Sequence, residues 1–263
     1  VTVVLYALVG LLGLAIGSFL NVVIWRVPRG ESITHPPSAC PTCGHAIRAR
    51  DNVPLVSWLL LRGRCRDCSS PISARYPLVE LATGVLFVVV TVWVGFDAPA
   101  VWALPAFLYL AAVSVALAMI DIDTKTLPDK IVLPSYVVAI VLLAVASWGA
   151  GDWGALLRAG LGCVVLWTFY FVVVFAYPKG MGFGDVKLAG LLGLYLGWVG
   201  WGALAVGSFA AFLLGGVFSI GLLLLRRAGR KTGIPFGPWM LLGAAVGLAW
   251  GEQIFQAYLD LML

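Results

Sequence analysis

The sequence has 263 residues, 62% of them hydrophobic and only 11% charged, with a mean hydropathy of +1.02. That balance excludes an ordinary soluble domain, which must present far more polar surface to water. The net charge of +5 is not read as a nucleic-acid footprint, because the basic residues follow a membrane-topology pattern.

A membrane-spanning helix needs about 20 mostly apolar residues. By that measure eight spans are predicted, over 1–25, 77–95, 100–120, 130–148, 155–177, 186–200, 202–225 and 237–259. No basic stretch precedes the first apolar run, so a retained helix is expected there rather than a cleaved signal peptide. The sixth and seventh runs are separated only by the turn from Gly197 to Gly202. Gly190, Gly193, Gly215 and Gly216 suit close helix packing in lipid. The expected fold is an all-α polytopic membrane protein with a small polar loop domain. It is divided into a first helix (1–25), a cytosolic metal-binding domain (26–76) and a transmembrane core of about seven helices (77–263).

Orientation follows from the Lys and Arg positions. The segment after the first span carries Arg26, Arg29, Arg48, Arg50, Arg62, Arg64, Arg66 and Arg75. Later loops on the same side carry Lys125, Lys130, Lys179, Lys187, Arg226, Arg227, Arg230 and Lys231. Sixteen of the 17 basic residues thus share one face, with Arg158 opposite. The positive-inside rule makes that face cytosolic and sends both termini outward.

Within 26–76, Cys40-Pro-Thr-Cys43 and Cys65-Arg-Asp-Cys68 are separated by 21 residues. Two such pairs close a tetrahedral thiolate site, because each short turn points two sulfurs inward. A reducing cytosol disfavours disulfides, so structural zinc on Cys40, Cys43, Cys65 and Cys68 is expected, with folding energy supplied by the metal. His35 and His45 are read as solvated loop residues, and Cys163 as a packing residue in an apolar helix.

Ionisable groups at membrane depth are costly and usually paired or functional. Asp121, Asp123 and Asp129 follow the third span, and Asp185 precedes the sixth behind Gly180, Gly182 and Gly184. Both stretches fall at cytosolic helix ends, where Asp121 and Asp185 can converge. Two facing carboxyls share a proton: the ionised one deprotonates water, and the protonated one polarises a peptide carbonyl. The glycines permit close approach of an extended chain. No His-Glu-x-x-His, Gly-x-Ser-x-Gly or phosphate-binding loop is present. Spacing alone leaves open an ion-coupling pair, or aspartates that merely cap helices.

At this point the sequence resembles a known family, the bacterial type IV prepilin peptidases. The resemblance lies in Gly17-Ser-Phe-Leu-Asn21 through Pro28, the double Cys-x-x-Cys, Arg75-Tyr-Pro-Leu-Val-Glu80, Asp121 to Asp129, and Gly182-x-Gly184-Asp185. It covers essentially the whole chain. It implies a membrane aspartic endopeptidase of the bacterial inner membrane, cutting the leader of type IV prepilins or type II secretion pseudopilins on the cytosolic side. It also implies N-methylation of the new terminus with S-adenosylmethionine, the cysteine-bearing domain marking that longer form. Carried over, the catalytic pair is Asp121 and Asp185; Asp121 stands seven residues before Pro128, the spacing shorter relatives keep. Asp123, Asp129, Gly182, Gly184, Lys187 and Glu80 are supporting candidates, Asp123 being the rival for the pair. Glu80 is either a substrate or donor contact or a helix-end carboxylate paired with Arg75. Gly17, Ser18 and Asn21 line the substrate path or pack helices, and Gly233–Pro238 is read as structural. The expected partners are prepilin substrates and membrane lipid. The competing readings are an ion-coupled transporter using the paired aspartates, and a non-enzymatic assembly factor. A transporter should place its ionisable groups nearer mid-membrane and often shows paired halves.

Overall fold

The computed structural model describes residues 2–178, 180–225 and 234–262. Lys179, Arg226, Arg227, Arg230, Lys231 and Gly233 lie outside the described residues. Eight long helices occupy the predicted runs: α1 (Thr2–Arg26), α2 (Arg75–Val94), α3 (Leu104–Thr124), α4 (Asp129–Ala150), α5 (Trp153–Ala176), α6 (Phe183–Val199), α7 (Trp201–Leu224) and α8 (Gly237–Met262). Six of them, α1 to α5 and α7, are long and apolar enough to cross a membrane. The fold is all-α, and among the described residues the only strand-like pairings are two isolated bridges, Ala39 with Ala46 and Arg64 with Pro71.

The chain divides into two compact units, one of residues 1–96 with 107–116 and one of 97–106 with 117–263. In the first, α1 and α2 pack through small residues. A Cβ on Gly13 would lie 2.8 Å from Gly84 Cα, and one on Gly17 would lie 2.7 Å from Glu80 Cα. Lipid tails are as apolar as leucine, so helix pairing rests on backbone proximity of this kind rather than on hydrophobic burial. Asn21 adds a polar tie, its side-chain amide donating to the Tyr76 carbonyl at 3.1 Å. Gly17 and Asn21 therefore hold the helix pair together.

In the second unit α6 is the central helix. Its residues from Leu188 to Gly197 are all buried, with α4, α5, α7 and α8 packed around it. That enclosure explains why this helix of 17 residues is apolar on every side from Leu188 onward. Gly162, Gly193 and Gly197 bring α5 and α6 together, a Cβ on Gly197 falling 2.6 Å from the Arg158 carbonyl oxygen. Gly243, Gly247 and Gly251 do the same for α8 against Ala203, Gly207 and Ala211 of α7. Gly216 departs from expectation: it is exposed, and a Cβ there would meet nothing within 4 Å. It lies one residue beyond the contact face, where Gly215 packs on Phe236 and Trp239. The break between α6 and α7 is fixed by Glu252 of α8, whose carboxylate accepts from the Gly202 and Ala203 amides at 2.9 and 3.3 Å. These amides open α7 and have no intrahelical partner, so Glu252 acts as its cap.

Candidate active site and metal centre

Asp121 sits in the last turn of α3, a helix closed by Lys125 in the left-handed conformation with its amide on the Asp121 carbonyl. Asp185 sits in the first turn of α6. Both are buried, at 4% and 8% exposure, which is rare for carboxyl groups without partners. Each has a backbone amide. Gly182 N–H donates to Asp185 Oδ2 at 3.0 Å, half of a capping box at the start of α6. Gly237 N–H, at the start of α8, donates to Asp121 Oδ2 at 2.9 Å across 116 residues of sequence. Helix N-termini present free amides and a favourable dipole to negative charge, so two helix starts, α6 and α8, each hold one carboxyl.

Both carboxyls line a single cavity of about 570 Å³. Its other walls come from Lys125 to Leu127 and Asp129, from Pro178, Gly180 to Gly182, Gly184 and Lys187, and from Ile234 to Phe236. Gly184 suits a close approach, since a Cβ there would lie 3.1 Å from Leu127 Cβ and Leu127 would have to give by a few tenths of an ångström. At Gly237 the approach is closer still: a Cβ there would lie 2.7 Å from Asp121 Oδ2, so any larger residue must displace that carboxyl. Lys187 bridges to Asp129 through both carboxylate oxygens at 2.7 and 2.8 Å, and its ammonium lies 5.2 Å above the Phe183 ring.

The cavity thus gathers Asp121, Asp185, Asp129, Lys187, Gly182 and Gly184. Asp123 is exposed and does not line it, as expected two residues along a helix from Asp121, on a different face. Glu80 belongs to the other unit. It is buried at 9% exposure and its Oε2 accepts from the Leu55 amide at 2.8 Å. The Gly233–Pro238 stretch, read from sequence as structural, supplies through Gly237 the amide that holds Asp121. Glycine opening a helix, followed at once by Pro238 in its first turn, was the available signal.

In the first unit the four sulfurs of Cys40, Cys43, Cys65 and Cys68 lie within 4.8 Å of one another. Cys40 and Cys68 Sγ are 3.8 Å apart, the edge of a tetrahedron whose metal–sulfur bonds are about 2.3 Å. The two pairs form matching knuckles. In one, Gly44 N–H donates to the Cys40 carbonyl at 2.9 Å and Cys40 N–H to the His45 carbonyl at 3.0 Å. In the other, Ser69 N–H donates to the Cys65 carbonyl at 2.9 Å and Cys65 N–H to the Ser70 carbonyl at 2.8 Å. Gly44 and Ser69 hold the same left-handed position, φ 73° and 59°. The donor set therefore fits one metal ion. Neither His35 nor His45 belongs to the cluster. Hydrogen bonds from the Cys43 backbone and the Ser70 hydroxyl pull the Cys40 thiol down to about 5, while burial and the neighbouring thiols push Cys43 up to about 12, so the four sulfurs compete for charge until a metal takes the place of their protons. The Arg66 guanidinium, 2.6 Å from Asp51, holds that carboxyl below its usual range and ties the second knuckle to the loop before Asn52.

Comparison with known proteins places this arrangement. Residues 11–94 match the bacterial peptidase A24 N-terminal domain, and residues 108–220 match the type IV leader peptidase family. A prepilin leader peptidase/N-methyltransferase of Aeromonas hydrophila is 41% identical over 97% of this chain and 93% of its own length. Proteins of the same description from Aeromonas salmonicida and Pseudomonas aeruginosa are 39% and 37% identical, over 98% and 95% of this chain and 95% and 92% of their own lengths. No solved structure matches. The chain belongs to the type IV leader peptidase family, and with its apolar helices it is a multi-pass membrane protein.

Proposed function

We propose that this chain is a prepilin leader peptidase of the inner membrane that also N-methylates its product, with Asp121 and Asp185 as the catalytic pair. The observation that carries the reading is their convergence on one cavity, each held by a helix-opening amide. No observation favours the transporter reading, in which paired carboxyls would couple ion movement.

The chemistry follows from the pair. One carboxylate takes a proton from water, and the resulting hydroxide adds to the scissile carbonyl carbon while the protonated partner hydrogen-bonds the carbonyl oxygen. The tetrahedral intermediate collapses as a carboxyl proton passes to the leaving nitrogen, giving a free carboxylate on the leader and a free amine on the mature chain. The amides of Gly182 and Gly237 orient the carboxyls, so neither must reorganise during the reaction. Asp123, exposed and outside the cavity lining, is the weaker candidate for this role; Asp129 and Lys187 line the cavity as an ion pair.

The metal that suits four thiolates in two knuckles is zinc, bound by Cys40, Cys43, Cys65 and Cys68, where it supplies folding energy to a segment with little core. Methyl transfer implies S-adenosylmethionine. Among its described lining residues the Asp121–Asp185 cavity offers the ring of Phe236, and the acid pair there is assigned to cleavage alone. The basic residues at the helix ends that carry Asp121 and Asp185 orient the site toward the cytosol, where a membrane-anchored substrate exposes its leader.

Mass spectrometry of a prepilin co-expressed with this chain tests the reading. The expected product lacks its leader and carries one added methyl on its new N-terminus. An intact prepilin, from a chain shown to be inserted, contradicts the peptidase; a cleaved but unmethylated product contradicts the methyl transfer alone.

A further inference from the structure

The helical turn Val56–Leu60, between the two cysteine knuckles, is inside out. Val56, Leu59 and Leu60 stand at i, i+3 and i+4, on one face, and are 50%, 66% and 78% exposed. The polar residue of the turn, Ser57, is buried instead, its hydroxyl donating to the Arg50 carbonyl at 3.1 Å and accepting from the Val53 amide at 3.0 Å. Trp58 also turns inward, its ring N–H donating to the Ile72 carbonyl at 3.2 Å. Aliphatic groups outward with the hydroxyl inward is the pattern of a surface facing hydrocarbon.

The level of the turn is fixed by the residue before it. Leu55 has φ 60° and its amide donates to Glu80 Oε2. Glu80 lies five residues into α2, about 7.5 Å along the axis from Arg75 at 1.5 Å per residue. The apolar turn is thereby tied beside the first turns of an apolar span, where Leu78 and Leu81 are also exposed, at 61% and 46%. Arg50, Arg62 and Arg64, all exposed, flank it in sequence. An aliphatic tip with a guanidinium rim at the end of a membrane span matches the interface of an anionic leaflet, where basic side chains meet phosphate and aliphatic ones meet acyl chain.

We propose that Val56, Leu59 and Leu60 form a lipid wedge that seats the cysteine-bearing segment in the interface of an anionic bilayer, with Glu80 setting its depth. The wedge makes this segment a part of the membrane surface rather than a domain projecting into water.

The test uses the full chain in nanodiscs of mixed phosphatidylglycerol and phosphatidylcholine. Photoreactive benzoylphenylalanine replaces Leu60 in one sample, Val56 in a second, and His45, exposed on the first knuckle, in a third. After irradiation, mass spectrometry reads lipid adducts. Adducts at 60 and 56 are expected to exceed those at 45 by at least about fivefold, and to fall by about that factor in pure phosphatidylcholine, each basic side chain near an anionic surface counting for about fivefold. Equal labelling at all three positions overturns the wedge, as do adducts at 60 and 56 to protein, whether this chain, a second copy or another partner. Labelling at 60 and 56 that ignores headgroup charge overturns the role of the arginine rim. No substrate enters the assay, so its outcome is separate from that of the proposed peptidase activity.

Discussion

Replacing Gly237 by alanine tests how finely Asp121 is held. The added Cβ would lie 2.7 Å from Asp121 Oδ2, whereas ordinary contact begins at 3.4 Å, so the carboxyl must retreat by about 0.7 Å. The other close neighbour, Leu127 Cδ2 at 3.4 Å, is already at a normal distance, and the strain falls on the acid alone. A retreat of that size stretches the 2.9 Å bond from the Gly237 amide past useful hydrogen-bond range. A hydrogen bond to a charged group is worth about 1.5–3 kcal/mol, and misplacing a reacting group by about 1 Å costs about 100-fold. Both routes predict that Gly237→Ala lowers kcat on a purified prepilin by about 10- to 100-fold. KM should move little, because the leader's own contacts are unchanged, and the rate is compared per folded molecule, because the lost bond also lowers the melting midpoint. A variant that melts like the parent and cleaves within about twofold of it would refute the claim that this amide positions a reacting carboxyl.

Three further outcomes follow. The parent chain should carry one zinc per molecule by elemental analysis, and Cys40→Ser should lose it, with amide exchange rising sharply across 38–72 because binding energy there is folding energy. Glu252→Ala leaves the Gly202 and Ala203 amides uncapped and should lower stability by about 1–3 kcal/mol, read as a drop in melting midpoint, with cleavage per folded molecule unchanged. The Lys187–Asp129 pair is partly exposed, its side chains at 22% and 54%, so a double-mutant cycle on stability with Lys187→Met and Asp129→Asn should return a coupling of about 1 kcal/mol or less; a much larger value would show a buried, structural ion pair.

The helices were legible because each is announced by a long apolar run, and predicted and observed bounds differ by only a few residues. Even α6, short at 17 residues, is marked by the glycines on either side. The metal knuckles were legible because four cysteines at short spacing leave few other arrangements. The pairing of Asp121 with Asp185 rested on topology and resemblance, and the cavity that gathers them supports it. What stayed hidden depends on contacts between distant segments. Gly237 reaches Asp121 from 116 residues away, so a glycine-proline turn ahead of α8 reads only as a helix start. Glu80 also holds the Leu55 amide across 25 residues of sequence, a backbone partner no charge pattern announces. Gly216 looked like its neighbour Gly215, yet one residue along a helix turns about 100° and leaves the interface. The outward aliphatic face at 56–60 is likewise ordinary in sequence and unusual only once Ser57 is seen to be the buried member.

The central claim is that two particular carboxyls, Asp121 and Asp185, act together on the scissile bond. Rates of prepilin cleavage by Asp121→Asn, Asp185→Asn and Asp123→Asn, each in nanodiscs and each with its metal retained, test it most directly. The first two should fall by at least about 1,000-fold, within the range a positioned acid or base contributes, while Asp123→Asn stays within a few-fold of the parent. Cleavage that survives either of the first two changes, or is lost equally in the third, would contradict it.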